Sequence, residues 1–309
     1  MATHDHSHHH DHGHAHGHHH HHRAAPDDPR YGLAIALNVA IVALEVGAGV
    51  FANSTALVAD AGHNLSDVLG LMLAGGAMWL AKRPAGGQRT YGFGKATVLA
   101  ALTNGVVLMF VSGAIVLEAF LRLLKPEPVQ SGVVMAIAFL GVLINTATAL
   151  LFMSGRRGDV NVRGVFLHMA GDALISVGVI VTAGLIFLTH WAWLDPATSI
   201  AIVLVIVAGA WGLLREAVDM ALDAAPPGAD VPEIHAFLLQ SAGVTEVHDL
   251  HIWAMSTTEM ALTAHLVRPD AAAEDGFRGQ VAEALEHRFG VRHATLQIEQ
   301  ARGERCPVC

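Results

Sequence analysis

Charge is scarce in this chain: Asp, Glu, Lys and Arg make up 15% of its 309 residues, against roughly 25% in an ordinary globular domain. That scarcity argues against a soluble protein of one or two domains. The 18 Lys and Arg are outnumbered by 27 Asp and Glu, for a formal net charge of −9, which argues against nucleic-acid binding through a basic surface. Aromatic residues account for only 6%, so no base-stacking platform stands out. Cysteine is nearly absent. Its two copies close the chain as Cys306-Pro307-Val308-Cys309, too few and too terminal for a disulfide framework. Neither a Gly-x-x-x-x-Gly-Lys-Ser/Thr loop nor an Asp-Lys-Thr-Gly phosphorylation sequence occurs, so no ATP-hydrolysing machinery is visible.

Histidine and apolar residues take the place of charge. Of 22 His, thirteen lie between His4 and His22, in a segment (1–30) with almost no apolar content and none of the apolar core of a signal peptide. It reads as a disordered His-rich tail whose neutral imidazoles suit zinc, copper, nickel and cobalt. From Leu33 the character changes abruptly. Six apolar stretches follow, at about 33–51, 57–81, 96–121, 131–153, 162–189 and 196–214, each close to the roughly 20 residues that carry a helix across a 30 Å hydrocarbon layer. Asn53-Ser54, Pro84-Ala85-Gly86-Gly87, Pro126-Glu127-Pro128, Ser154-Gly155 and Asp195-Pro196 supply turn chemistry between them.

Positive charge gathers in the tail (Arg23, Arg30), the second loop (Lys82, Arg83, Arg89, Lys95) and the fourth (Arg156, Arg157, Arg163), whereas the first and fifth loops have no Lys or Arg. The positive-inside rule then places both termini in the cytoplasm. After Pro226-Pro227-Gly228 the sequence becomes soluble in character and reads helix (232–242), strand (245–255), strand (259–267), helix (273–289), strand (292–299). Ile252 and Ala254 alternate with His251 and Trp253, and Leu262, Ala264 and Leu266 with Thr263 and His265, so each strand buries one face. The expected fold is an all-α six-helix transmembrane bundle (31–222) followed by an α+β ferredoxin-like αββαβ domain (223–300) and a flexible tail (301–309).

The second span contains Asp60-Ala61-Gly62-His63-Asn64-Leu65-Ser66-Asp67. His63 and Asp67 are four apart, on one helical face, and the fifth span repeats the spacing with His168 and Asp172. Two such pairs facing each other supply two imidazoles and two carboxylates, a complete tetrahedral shell for zinc that also accommodates cadmium or cobalt. A carboxylate near the middle of a span costs at least about 2.5–3.5 kcal/mol on insertion scales, so it is normally paired or faces an ion pathway. Asn38, Glu45, Asn104, Glu118 and Asn145 are read as structural polar groups between helices. Asp60 either helps admit the metal or sits near the far interface.

These residues give the sequence its resemblance to the cation diffusion facilitators, metal/proton antiporters, and within them to the zinc-exporting branch. The likeness rests on Asp60 to Asp67, on His168-Met169-Ala170-Gly171-Asp172-Ala173-Leu174-Ile175-Ser176-Val177-Gly178, on Arg89-Thr90-Tyr91-Gly92, and on Val247-His248-Asp249-Leu250-His251-Ile252-Trp253. It covers nearly all of the chain from Tyr31 to Glu299. The resemblance implies a homodimer of six-span protomers in a bacterial inner membrane, joined in part by the cytosolic domains, with His63, Asp67, His168 and Asp172 as transport ligands. His63 is similar to the zinc-selective pattern of the family. Some members carry a further metal site of His and Asp in the second loop; Lys82 to Lys95 contains neither, and none is expected there.

In the soluble domain, His265 and Glu299 share the open face of the sheet by strand parity, while His248 and His251 precede and enter the first strand and His293 opens the last. Resemblance to zinc transporters with a terminal Cys-x-x-Cys implies regulatory zinc held by His248, His265, Glu299, Cys306 and Cys309. Zinc is then both substrate and regulator, with divalent metals, protons and the lipid bilayer as partners and no organic cofactor. Ordinary imidazole titrates near pH 6.5, and metal binding needs it neutral, so metal arrival displaces protons and protonation expels metal. The competing readings are a membrane-anchored metal sensor, in which the four intramembrane residues would be dispensable, and an intramembrane metalloenzyme, for which no substrate pocket or additional general base is visible.

Overall fold

The computed structural model describes residues 29–153, 160–270 and 274–302. The His-rich segment and the expected ligands Cys306 and Cys309 lie outside the described residues. Six long helices come first: α1 (Pro29–Ala52), α2 (Thr55–Ala81), α3 (Lys95–Leu124), α4 (Ser131–Met153), α5 (Val160–Thr189) and α6 (Leu194–Ala221). At 1.5 Å per residue they are about 35–45 Å long, enough to cross a bilayer. Among the described residues, five are long and apolar enough to span, and α1 adds a shorter apolar stretch, Ala36–Ala52. The expected stretches fall on these helices. α6 runs about two turns past its expected end at 214 because Arg215 to Ala221 keeps good helix formers and buries Ala217 and Met220.

α1 packs on α2 and α4, α2 on α3 and α6, and α4 on α5. The bundle has a near end, where α6 leads into the soluble domain, and a far end. Toward the far end Ala52, Ala56, Leu57, Ala59, Val134, Ala138, Val179, Ala183, Ile202 and Val203 pack into one apolar cluster. Five of these are alanines, which lets the helices approach closely.

One buried carboxylate fixes the start of α2. Asp195, at the first turn of α6 and 1% exposed, accepts hydrogen bonds from the Ser54 hydroxyl, from Thr55 N–H at 2.6 Å, from Thr55 Oγ1 at 2.8 Å and from Ala56 N–H at 3.4 Å. Ser54 in turn caps α2 by accepting from Leu57 N–H. The first amide groups of a helix have no intrahelical acceptor and carry its positive dipole end, so an anion from a neighbouring helix satisfies both at once. At the other side of this loop Asn53, at φ 57°, ends α1; its carbonyl accepts from Arg122 and that of Ala52 from Gln130 N–H.

The soluble domain comprises α7 (Val231–Leu239), β1 (Glu246–Ala254), β2 (Met260–Val267), α8 (Glu274–Phe289) and β3 (Val291–Glu299), each close to its expected bounds. The sheet order is β1-β2-β3, with β1 antiparallel to β2 and β3 parallel to β2 through the α8 crossover. Ile234 and Leu238 of α7 and Phe277, Val281 and Leu285 of α8 cover one face, against Val247, Ile252, Leu262, Ala264, Leu266 and Leu296. Both helices therefore lie on the same side, as an αββαβ order requires. The β1–β2 hairpin docks on the near end of the bundle: Ala254 packs with Val98 and Met220, Thr257 N–H donates to Thr97 Oγ1 at 3.0 Å, and a Cβ on Gly94 would stand 2.7 Å from the Met255 carbonyl. Only glycine permits that approach.

Asp195→Ala should lower the stability of the detergent-solubilised protein by about 2–4 kcal/mol, because it leaves several buried donors unpaired. A thermal midpoint equal to that of wild type would show that the far-end lock contributes nothing.

Candidate metal centre

The four intramembrane residues singled out by spacing meet in one place. Each helix carries its pair at i and i+4, and α2 and α5 lie against each other, so the two pairs face. His63 Nδ1 lies 3.6 Å from Asp67 Oδ2 and His63 Nε2 3.5 Å from Asp172 Oδ1. His168 Nε2 lies 3.3 Å from Asp67 Oδ2 and 3.7 Å from Asp172 Oδ2. The result is a closed ring in which each imidazole stands between two carboxylates. A tetrahedral zinc with ligand atoms about 2.0–2.2 Å from the metal has edges of about 3.3–3.6 Å; taking one atom from each residue, His63, Asp67 and Asp172 come within 4.8 Å of one another, while His168 touches the two carboxylates from the outer side of that group. The two imidazoles stand edge to face, with ring centroids 6.1 Å apart and the planes nearly perpendicular.

The ring is not satisfied as a hydrogen-bond network. His63 Nδ1, Asp67 Oδ2 and Asp172 Oδ2 are buried without a hydrogen-bond partner, an arrangement that is costly unless a further group completes it. Access is graded along the bundle axis. The side chains of His168 and Asp67 are 40% and 33% exposed, whereas those of His63 and Asp172 are 18% and 3%. His168 and Asp67, the more exposed pair, sit nearer the soluble domain on their respective helices, and the apolar cluster lies further toward the far end.

The polar residues read from sequence as structural divide on inspection. Glu118 pairs with Arg122 one turn away, and Asn104 packs on Gly70, where a Cβ would meet its amide at 2.9 Å. Asn38 points to Met169. Glu45 and Asn145, by contrast, are fully buried, as is Asp60, which accepts from Ser176 Oγ at 2.8 Å. Asp60 therefore sits inside the bundle, in contact with α5, and not at an interface with water. Spacing alone did not reveal Ser176 or Asn64 as members of this layer. The signal available was a Ser one turn beyond Asp172 and an Asn beside His63.

A second cluster occupies the open face of the soluble sheet. His248 and His265 are directly paired across β1 and β2, with rings 5.1 Å apart. Glu299 on β3 reaches both, with Oε2 at 3.1 Å from His248 Nε2 and Oε1 at 3.0 Å from His265 Nδ1. Strict alternation would put His248 on the same face as Ile252, against the helices. A β-bulge between His248 and His251 inserts one residue and turns His248 to the open face. Asp249 forms that bulge at φ 52°, a conformation Asp tolerates better than most residues, and its carboxylate lies 3.5 Å from His265 Nε2 and 2.9 Å from His251 Nε2. Asp249 is thus a member of the cluster that parity could not place.

Comparison with known proteins agrees with both halves of this architecture. Residues 32–220 match the cation efflux transmembrane domain and residues 226–301 the cytoplasmic domain of cation efflux proteins. The chain is 36% identical over 274 residues to the metal cation efflux system protein CzcD of Cupriavidus metallidurans, covering 88% of this chain and 87% of that one. It is 33% identical over 261 residues to the cadmium, cobalt and zinc/H(+)-K(+) antiporter of Bacillus subtilis (83% and 84%). It is 34% identical over 268 residues to the zinc transporter ZitB of Escherichia coli (86% and 85%). The chain is thus a multi-pass membrane transporter rather than an enzyme, and it belongs to the cation diffusion facilitator family, within its zinc-exporting branch.

Proposed function

We propose that the protein expels divalent zinc from the cytoplasm in exchange for protons, with cadmium or cobalt as secondary cargo, and that His63, Asp67, His168 and Asp172 are the transport ligands. The observation that carries this reading is the closed His–Asp–His–Asp ring between α2 and α5, in which His63, Asp67 and Asp172 each offer one ligand atom within 4.8 Å of the others and His168 lies within 3.7 Å of both carboxylates. Two nitrogens and two carboxylate oxygens form a borderline donor set for zinc, and the printed names of the bacterial relatives favour the same cargo.

Coupling follows from the ligands. Zinc needs neutral imidazole and ionised carboxylate, so it competes with protons for the same atoms. A bundle that takes zinc from the near side and protons from the far side would convert a proton gradient into export. The near-side exposure of His168 and Asp67 and the far-side apolar cluster support an alternating-access cycle in which this arrangement is the inward-open one. Both termini then face the cytoplasm of a bacterial inner membrane, and two chains pair in part through the soluble domains. His248, His265 and Glu299 are the proposed regulatory zinc ligands, joined by Cys306 and Cys309 of the terminal segment; Asp249 borders them.

In proteoliposomes, Asp172→Ala is expected to lower zinc flux at least about a hundredfold, more than the loss typical of an outer-sphere partner, with the helix content unchanged. Near-wild-type flux would make the ring structural and favour a sensor. With the vesicle interior more acidic than the medium, zinc should accumulate inside, and zinc binding should weaken as pH falls through the imidazole range near about 6.5. Uptake indifferent to the imposed gradient would remove proton exchange from the mechanism.

A further inference from the structure

Beyond the ring, toward the far end, lies a second group of buried oxygens that the proposed ligand set does not use. Glu45 of α1 and Asp60 of α2 are both 0% exposed. Asp60 precedes His63 by one turn, and Ser176 follows Asp172 by one turn, so both stand on the far side of the ring. Glu45 Oε2 accepts from Asn64 Nδ2 at 3.2 Å and Asp60 Oδ2 from Ser176 Oγ. The other oxygen of each carboxylate, Glu45 Oε1 and Asp60 Oδ1, is buried with no hydrogen-bond partner.

The backbone has made room for them. A Cβ on Gly141 of α4 would lie 2.8 Å from Glu45 Oε1 and 3.4 Å from Ser176 Oγ, so the glutamate and the serine that holds Asp60 converge on one notch. Asn145, one turn along the same face of α4, is fully buried, and both atoms of its amide lack a partner. Glu45, Asp60 and Asp172 lie within electrostatic reach of one another. Hydrocarbon does not tolerate neighbouring carboxylates with free lone pairs unless a cation or its equivalent completes them.

We propose that Glu45 and Asp60, with Ser176 and the Asn145 amide, form a second divalent-cation subsite that receives the metal as it leaves the ring toward the far side. The inference rests on the ring being the transport site. Its donors are all oxygen. Zinc favours imidazole-containing sets over carboxylate and carbonyl oxygen, so this subsite holds the ion more weakly than the ring and passes it on. Weak, successive binding is what conduction requires. The apolar cluster beyond it must open before the ion can depart.

The test is cadmium NMR of the full chain with isotope-enriched metal, since the shift separates all-oxygen from nitrogen-containing coordination, combined with zinc flux in proteoliposomes. Wild type at excess cadmium should give an all-oxygen resonance that Glu45→Gln and Asp60→Asn each abolish. Both variants should lose about tenfold in maximal zinc flux, at the scale of an auxiliary metal partner, with the half-saturating zinc concentration unchanged. Gly141→Ala, which keeps both carboxyl groups and crowds the notch, should act in the same direction and serves if either variant does not fold. No such resonance in wild type, its persistence in both variants, or its loss without a change in flux would overturn the proposal. Asp172→Asn measured alongside judges the ring separately: retained zinc affinity there would refute the transport-site assignment while leaving the resonance to decide the subsite.

Discussion

Hydrocarbon offers a buried carboxylate neither water nor counterions, and Glu45, Asp60, Asp67, Asp172 and Asp195 are all placed within or at the edge of this bundle. The way each is compensated organises the molecule. Asp195 finds the exposed amides of α2 and two hydroxyls, a complete solution that needs no ion. Asp67 and Asp172 find imidazoles on the facing helix, at separations that leave acceptor and donor atoms unfilled. Glu45 and Asp60 find one polar partner each and keep one oxygen open. From Asp195 to the ring the compensation changes from fixed to exchangeable, which is the difference between a structural lock and a place for a mobile cation.

The same residues tie the site to the fold. α2 carries the lock at its first turn, Asp60 one turn on, and His63 and Asp67 beyond it, so a rotation of α2 would disturb all three levels. At the near end, α3 begins under the β1–β2 hairpin, where Thr257 bonds Thr97 and Lys95 pairs with Asp223 at the end of α6. The soluble domain thus touches the starts and ends of helices rather than their middles. Metal bound by His248, His265 and Glu299 would stiffen all three strands, and β1 and β2 carry that contact.

Much of this was legible in the sequence, for definable reasons. Apolar runs set the spans because length and composition act additively over some twenty residues. The pairs His63/Asp67 and His168/Asp172 were visible because helical spacing converts directly into a shared face. Their meeting across two helices was an expectation that only tertiary packing could deliver. Strand parity placed His265 and Glu299 but not His248, since a bulge breaks alternation without leaving a strong local signature; an Asp within the strand, at 249, was the available hint, since Asp is depleted in strands. Glu45 was noticed as a charge in an apolar span, but its partners come from α2, α4 and α5, and no single-helix pattern brings them together. Asp195 read as turn chemistry because its role depends on a helix 140 residues earlier in the chain.

The ring between α2 and α5 is the proposed place where the metal binds. Locating zinc by anomalous scattering at its absorption edge, in crystals of the protein grown with the metal, tests this most directly. The predicted result is a peak between His63, Asp67, His168 and Asp172, about 2.0–2.2 Å from one nitrogen or oxygen of each. Peaks confined to the soluble sheet, with none between α2 and α5, would contradict it.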